Sequence, residues 1–80
     1  MVEKQKSQHA FGIVLRICRQ EKGLTQEQLS EWVDVVRSFI CSLENGKRQP
    51  SLQMVLKLAA ALGVRPGDLV NAMADRLANQ

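Results

Sequence analysis

The chain has 80 residues, room for one domain whose apolar residues must serve a single core. Its 45% hydrophobic content, rich in Leu, Val and Ala and poor in aromatics, suits a small helical bundle, and a net charge of +3 is compatible with nucleic acid without requiring it. No apolar run approaches the roughly 20 residues that span a bilayer and the N-terminus lacks a signal-peptide core, so the chain reads as cytoplasmic with no membrane partner.

Residues 1–7, MVEKQKS, are polar, charged and without periodicity, and read as a flexible N-terminal tail. Lys4 and Lys6 in this tail are candidates for DNA phosphate contacts, in the manner of N-terminal arms. Residues 8–80 read as the folded domain, frayed at its C-terminal end. Its first helix is expected from about Gln8 to Glu21, stopped near Gly23. Phe11, Val14, Leu15 and Cys18 lie three, four and seven apart, the spacing of a buried stripe. Ile13 and Ile17 fall on a neighbouring face, either the edge of a wide core or a partner surface.

The chain is organised around Thr25 to Glu44, TQEQLSEWVDVVRSFICSLE. Thr25 stands three residues before Gln28, the spacing of a capping box, and Leu24 can pack on Leu29 as a hydrophobic staple. A helix therefore starts here. Leu29 and Val33 give it one apolar stripe, with Ser30 small enough for another helix to come close. The pattern breaks around Asp34 and restarts with Val36, Ile40 and Leu43, which share one side at about 100° per residue. Arg37, Ser38, Cys41 and Ser42 then face outward. Two short helices joined by a tight turn, the second polar and partly basic outside, describe a helix-turn-helix. Its second helix is the one expected to enter a DNA major groove. Trp32 falls beside the buried stripe, so half-buried packing is expected; an exposed Trp32 instead marks a contact surface.

Beyond it, Asn45-Gly46 is a stop signal, and Lys47, Arg48 and Gln49 form a short basic loop. Ser51 caps a fourth helix whose buried face is Leu52, Val55, Leu58, Ala59 and Leu62, with Gly63 at its end. Pro66 fits the first position of a fifth helix, whose apolar side is Leu69, Val70, Met73 and Leu77. No repeat, low-complexity tract or strand signal interrupts this pattern. The fold is all-α, five short helices.

Catalysis has little to stand on. The one histidine, His9, lies at the start of the first helix, and no nucleophile–base pair, metal cluster or phosphate-cradling glycine loop accompanies it. Cys18 and Cys41 lack a CxxC spacing and read as free thiols, Cys18 as a small core residue. No metal, cofactor or enzymatic activity is expected.

Leu-Glu-Asn-Gly-Lys-x-x-Pro-Ser followed by Lys-Leu-Ala-x-Ala-Leu-Gly, after Gln-Glu-x-Leu in the first motif helix, resembles the lambda repressor and Cro-like (XRE-type) helix-turn-helix family over about residues 11–77. The resemblance implies a compact five-helix lambda-repressor-like DNA-binding domain with the helix-turn-helix at helices 2 and 3. It also implies base-reading side chains at Arg37, Ser38 and Ser42. Gln26 then clamps the DNA backbone, where helix-end amides already favour a phosphate. Thr25 assists there, and Asn45, Lys47 and Arg48 hold phosphates beyond the recognition helix. Arg19 and Glu44 match a partly buried structural ion pair of the family. Dimerisation is expected near the loop before the fifth helix and along it, around Val64 to Leu77.

The chain departs from the family where Asp34 replaces the turn glycine, Val36 replaces a serine or threonine cap, and Ser30 replaces alanine. A member that has lost DNA binding would show such changes at Asp34 and Val36. The reading that results is a sequence-specific transcriptional regulator, a repressor by best fit, binding double-stranded DNA at a palindromic operator as a homodimer. An activator of the restriction–modification controller type is the other sign of regulation. The alternative class is an antitoxin or bridging protein that uses the same domain to bind a protein, with Ile13, Ile17 and Trp32 as contacts.

Overall fold

A computed structural model describes the backbone of residues 2–79 and the side chains of residues 5–79. Five helices follow in order: α1 (Val2–Glu21), α2 (Gln26–Trp32), α3 (Arg37–Glu44), α4 (Leu52–Leu62) and α5 (Pro66–Ala78). No strand occurs among the described residues, and none of their helices is long and apolar enough to cross a membrane.

α1 starts at Val2 rather than Gln8. The stretch EKQKS lacks apolar periodicity, yet Glu, Lys and Gln are strong helix formers, so an established helix extends through it. Met1 and the side chain of Lys4 lie outside the described residues.

α1 is the central element, packing on both α3 and α5. Phe11 and Leu15 join Leu29, Val33, Ile40, Leu43, Leu58 and Leu62 in the larger core cluster. Val14, on the adjacent stripe, joins Ala59 and Leu69 in a second cluster, and the half-buried Cys18 touches both. Burial, with Glu21 adding to it, pushes the Cys18 thiol up from its ordinary value, as suits a packing residue. Leu15, Leu29, Ile40, Leu43, Leu58 and Leu69 are fully buried, and truncating any one to Ala should cost about 2–5 kcal/mol.

Local signals set the helix ends. Thr25 Oγ1 accepts from the Gln28 amide at 3.0 Å while the Thr25 amide donates to Gln28 Oε1 at 2.9 Å, a closed capping box. Ser51 Oγ accepts from the Met54 amide at 3.0 Å. Pro66 opens α5, where the Arg65 amide donates to Asp68 Oδ2 at 3.3 Å.

Several apolar positions expected inside lie outside. Val36 is 69% exposed because it is the N-cap of α3, in extended backbone before helical spacing begins; half-buried Val35 packs on the core instead. Leu52 is 83% exposed because the first residue of α4 overhangs the core edge. With Phe11, Pro50, Val55, Met73 and the exposed Val70 it lines an open apolar groove of about 180 Å³ where α1, α4 and α5 meet. Trp32 is 57% exposed at the end of α2, not half-buried. Its neighbour Val33 takes the inward position.

Candidate nucleic-acid interface

The turn between α2 and α3 uses a backbone that glycine normally supplies. Asp34 has φ +60, the one described non-glycine residue with positive φ. The Asp34 amide donates to the Glu31 carbonyl at 3.3 Å and the Val35 amide to the Ser30 carbonyl at 3.0 Å. This is a Schellman ending of α2 with aspartate at the left-handed position. Ser30 is buried, and its hydroxyl donates back to the Glu27 carbonyl at 2.6 Å. The turn holds, with some strain at Asp34.

α3 presents Arg37 and Ser38 fully outward, with Cys41 and Ser42 half-buried beside them. Ile40 and Leu43 anchor its inner side. Its far end is a second Schellman ending. The Gly46 amide, at φ +74, donates to the Leu43 carbonyl at 3.1 Å, and the Lys47 amide donates to that of Ser42 at 2.9 Å. Lys47 thereby follows directly on the C-terminal end of α3. Arg48 follows with its guanidinium 5.6 Å from the ring centroid of Phe39, a cation–π contact that leans it on α3.

Behind this face lies a polar hub on Glu44, whose side chain is wholly buried. Arg19 Nε donates to Glu44 Oε2 at 2.6 Å and Arg19 Nη2 to Oε1 at 3.0 Å, while Arg19 Nη1 donates to the Leu24 carbonyl at 2.8 Å. Gln26 Nε2 donates to Oε1 at 3.0 Å, and Arg16 Nε reaches the same oxygen at 3.3 Å. Burial alone would raise the Glu44 carboxyl. Arg19, Gln26 and Arg16 outweigh it and hold the group below its ordinary value. The Arg19 guanidinium is raised by its hydrogen bond to Glu44. Arg16 continues outward, its Nη2 donating to Asn45 Oδ1 at 3.2 Å, and Asn45 Nδ2 donates to Cys41 Sγ at 3.4 Å.

The hub thus brings Arg19, Gln26, Glu44 and Asn45 into one network, while Arg37, Ser38 and Ser42 stand apart on the outer face. Thr25 is committed to the α2 cap, with its hydroxyl proton still available. Sequence reasoning missed Arg16, whose partners are distant in the chain, and Gly12. A Cβ at Gly12 would lie 2.5 Å from the carbonyl oxygens of both Leu43 and Glu44, so only glycine lets α1 cross the end of α3. The one available signal was a glycine inside a helix, which usually marks a close approach.

A family model described as a helix-turn-helix domain matches residues 10–73. The chain belongs to the helix-turn-helix family, of the lambda repressor and Cro-like, XRE type. This helix-turn-helix domain is 48% identical over 50 residues to an uncharacterized HTH-type transcriptional regulator of Methanothermobacter thermautotrophicus, covering 62% of this chain and 72% of that one. It is 40% identical over 60 residues to the control protein C.MunI of a Mycoplasma species, covering 74% and 81%. The crystal structure of the restriction-modification controller protein C.AhdI from Aeromonas hydrophila superimposes with a TM-score of 0.78 at 40% identity, covering 81% of this chain and 94% of that one. The domain is a helix-turn-helix transcriptional regulator similar to restriction–modification controllers.

Proposed function

We propose that the domain binds double-stranded DNA sequence-specifically, as a homodimer on a palindromic operator, and regulates transcription from there. The observation that carries this reading is the outer face of α3. Arg37, Ser38 and Ser42 stand on one polar side of a helix whose opposite side is locked by Ile40, Leu43 and the Glu44 hub. A recognition helix must be rigid to read bases, and this one is anchored along its inner side and at its C-terminal end.

Arg37 reads a guanine edge through a bidentate contact, and Ser38 and Ser42 contact neighbouring bases. Gln26, Thr25, Asn45, Lys47 and Arg48 hold phosphates on either side. Gln26 serves both sides of the interface, since one amide hydrogen holds Glu44 and the other is left for DNA. Pairing of two chains uses α5 and the loop before it, extended by the apolar groove that Leu52 and Val70 line. Two recognition helices then lie one DNA turn apart, about 34 Å. The names of C.MunI and C.AhdI favour a controller-type regulator over a phage-type repressor.

Selection from a randomised duplex pool tests the reading. An enriched sequence with dyad symmetry, bound by two chains, is expected; enrichment of an asymmetric site bound by one chain contradicts the homodimer.

One observation favours a second reading. The exposed Trp32 lies at the end of α2 beside Lys57, Ala60 and Ala61, a surface suited to a protein partner. Loss of a partner on Trp32→Ala with DNA binding intact would support a bridging role.

A further inference from the structure

α1 lies in register along the end of the recognition helix and continues past it. Gly12 faces the Leu43 and Glu44 carbonyls, and one turn earlier His9 rests against Gly46. A side chain at Gly46 would come within 3.0 Å of the His9 Cα, so the glycine permits this approach. One further turn back, Gln5 and Lys6 face Lys47 across an open cleft of about 580 Å³, lined also by Gln8 and His9. Among the described residues, none that lines it is acidic. Two lysines, two glutamines and a histidine thus line the cleft, all with side chains able to donate hydrogen bonds.

We propose that this cleft binds a phosphodiester group of the DNA backbone, one not reached by the recognition helix, with Lys6 and Lys47 supplying charge and His9 and the glutamines supplying donors. The proposal rests on the DNA-binding reading and deepens it. Lys6 acts from a turn of α1 rather than from a loose arm. Exposure to solvent decides which phosphate is bound. A free anion keeps its hydration in so open a cleft and gains little. A backbone phosphate is delivered by the rest of the interface at high effective concentration.

The test uses the duplex enriched by wild-type protein and compares wild type, Lys6→Gln and the control Lys57→Gln, an exposed lysine on α4. Each neutralised phosphate contributes about 0.9 to the salt slope and the homodimer carries two such clefts, so wild type should lose about tenfold more affinity than Lys6→Gln between roughly 50 and 200 mM salt. Base preference should be unchanged, and Lys57→Gln should behave as wild type. Equal salt slopes for wild type and Lys6→Gln, or an equal effect of Lys57→Gln, would overturn the assignment while leaving specific DNA binding in place. A wild-type protein that enriches no duplex overturns the DNA-binding reading itself, and this assignment with it. Inorganic phosphate alone should shift the His9 and Gly46 amide resonances no more than chloride at matched ionic strength. Saturable shifts would reassign the cleft to a free anion.

Discussion

Gln26 Nε2 donates to Glu44 Oε1 at 3.0 Å, so the first residue of α2 holds the last residue of α3. The two helices of the motif are therefore joined at the turn and also at their far ends. Arg19 closes the same joint from α1. One buried carboxylate thus ties α1, α2 and α3 together.

Removing that carboxylate should be costly. Glu44→Ala leaves the largely buried Arg19 guanidinium without its partner, and a loss of about 3–5 kcal/mol is expected from urea unfolding. Arg16→Ala should cost under about 1 kcal/mol, because its side chain is 47% exposed and solvent screens the pair. Equal losses for the two variants would show that the hub is not organised around Arg19.

The same group gives a pH dependence of definite sign. Its folded pKa lies below the ordinary 4.5, so the unfolded chain takes up a proton first as pH falls. The stability it contributes is complete above that value and is lost as pH drops through the folded pKa. Arg19 stays protonated throughout and adds no dependence in this window. Urea midpoints between pH 7 and pH 3 should fall more steeply for wild type than for Glu44→Gln, which cannot titrate there.

Two glycines should respond oppositely to alanine. At Gly12 the new methyl meets two backbone carbonyls that cannot swing away, and overpacking should cost about 1–3 kcal/mol or more. Gly67, in the first turn of α5, has open space within 4 Å of where a Cβ would stand, and Gly67→Ala should stabilise by up to about 1 kcal/mol. Thermal denaturation of the two variants checks both signs.

The turn can be relieved in two places. Asp34→Gly removes the left-handed strain at φ +60 and should add about 0.5–1 kcal/mol. Val36→Thr gives α3 the side-chain cap it lacks and should add about 1 kcal/mol. Denaturant midpoints that fall for Asp34→Gly would mean that the aspartate makes a compensating contact.

Features encoded within a few residues were legible in the sequence. The Thr25–Gln28 box, the Ser51 cap, Gly63 and Pro66 marked the helix ends because capping is local chemistry. The five-helix order and the stripe of Phe11, Val14 and Leu15 followed from periodicity. Periodicity failed at the ends of elements. Val36 and Leu52 have the right spacing, yet one precedes its helix and the other overhangs the core. Arg16 was illegible because its role depends on how α1 lies over α3, a relation between residues 28 apart. Gly12 and the cleft that Lys6 and Lys47 both line depend on the same crossing.

The most direct test of the central claim is a base-preference profile over the enriched duplex for wild type, Arg37→Ala and Gln26→Ala. Arg37→Ala should lose about 1–3 kcal/mol of discrimination at one base pair in each half-site and keep its preference elsewhere. Gln26→Ala should weaken all sequences alike. A wild-type profile without base preference, or one that Arg37→Ala leaves unchanged, would contradict recognition through the outer face of α3.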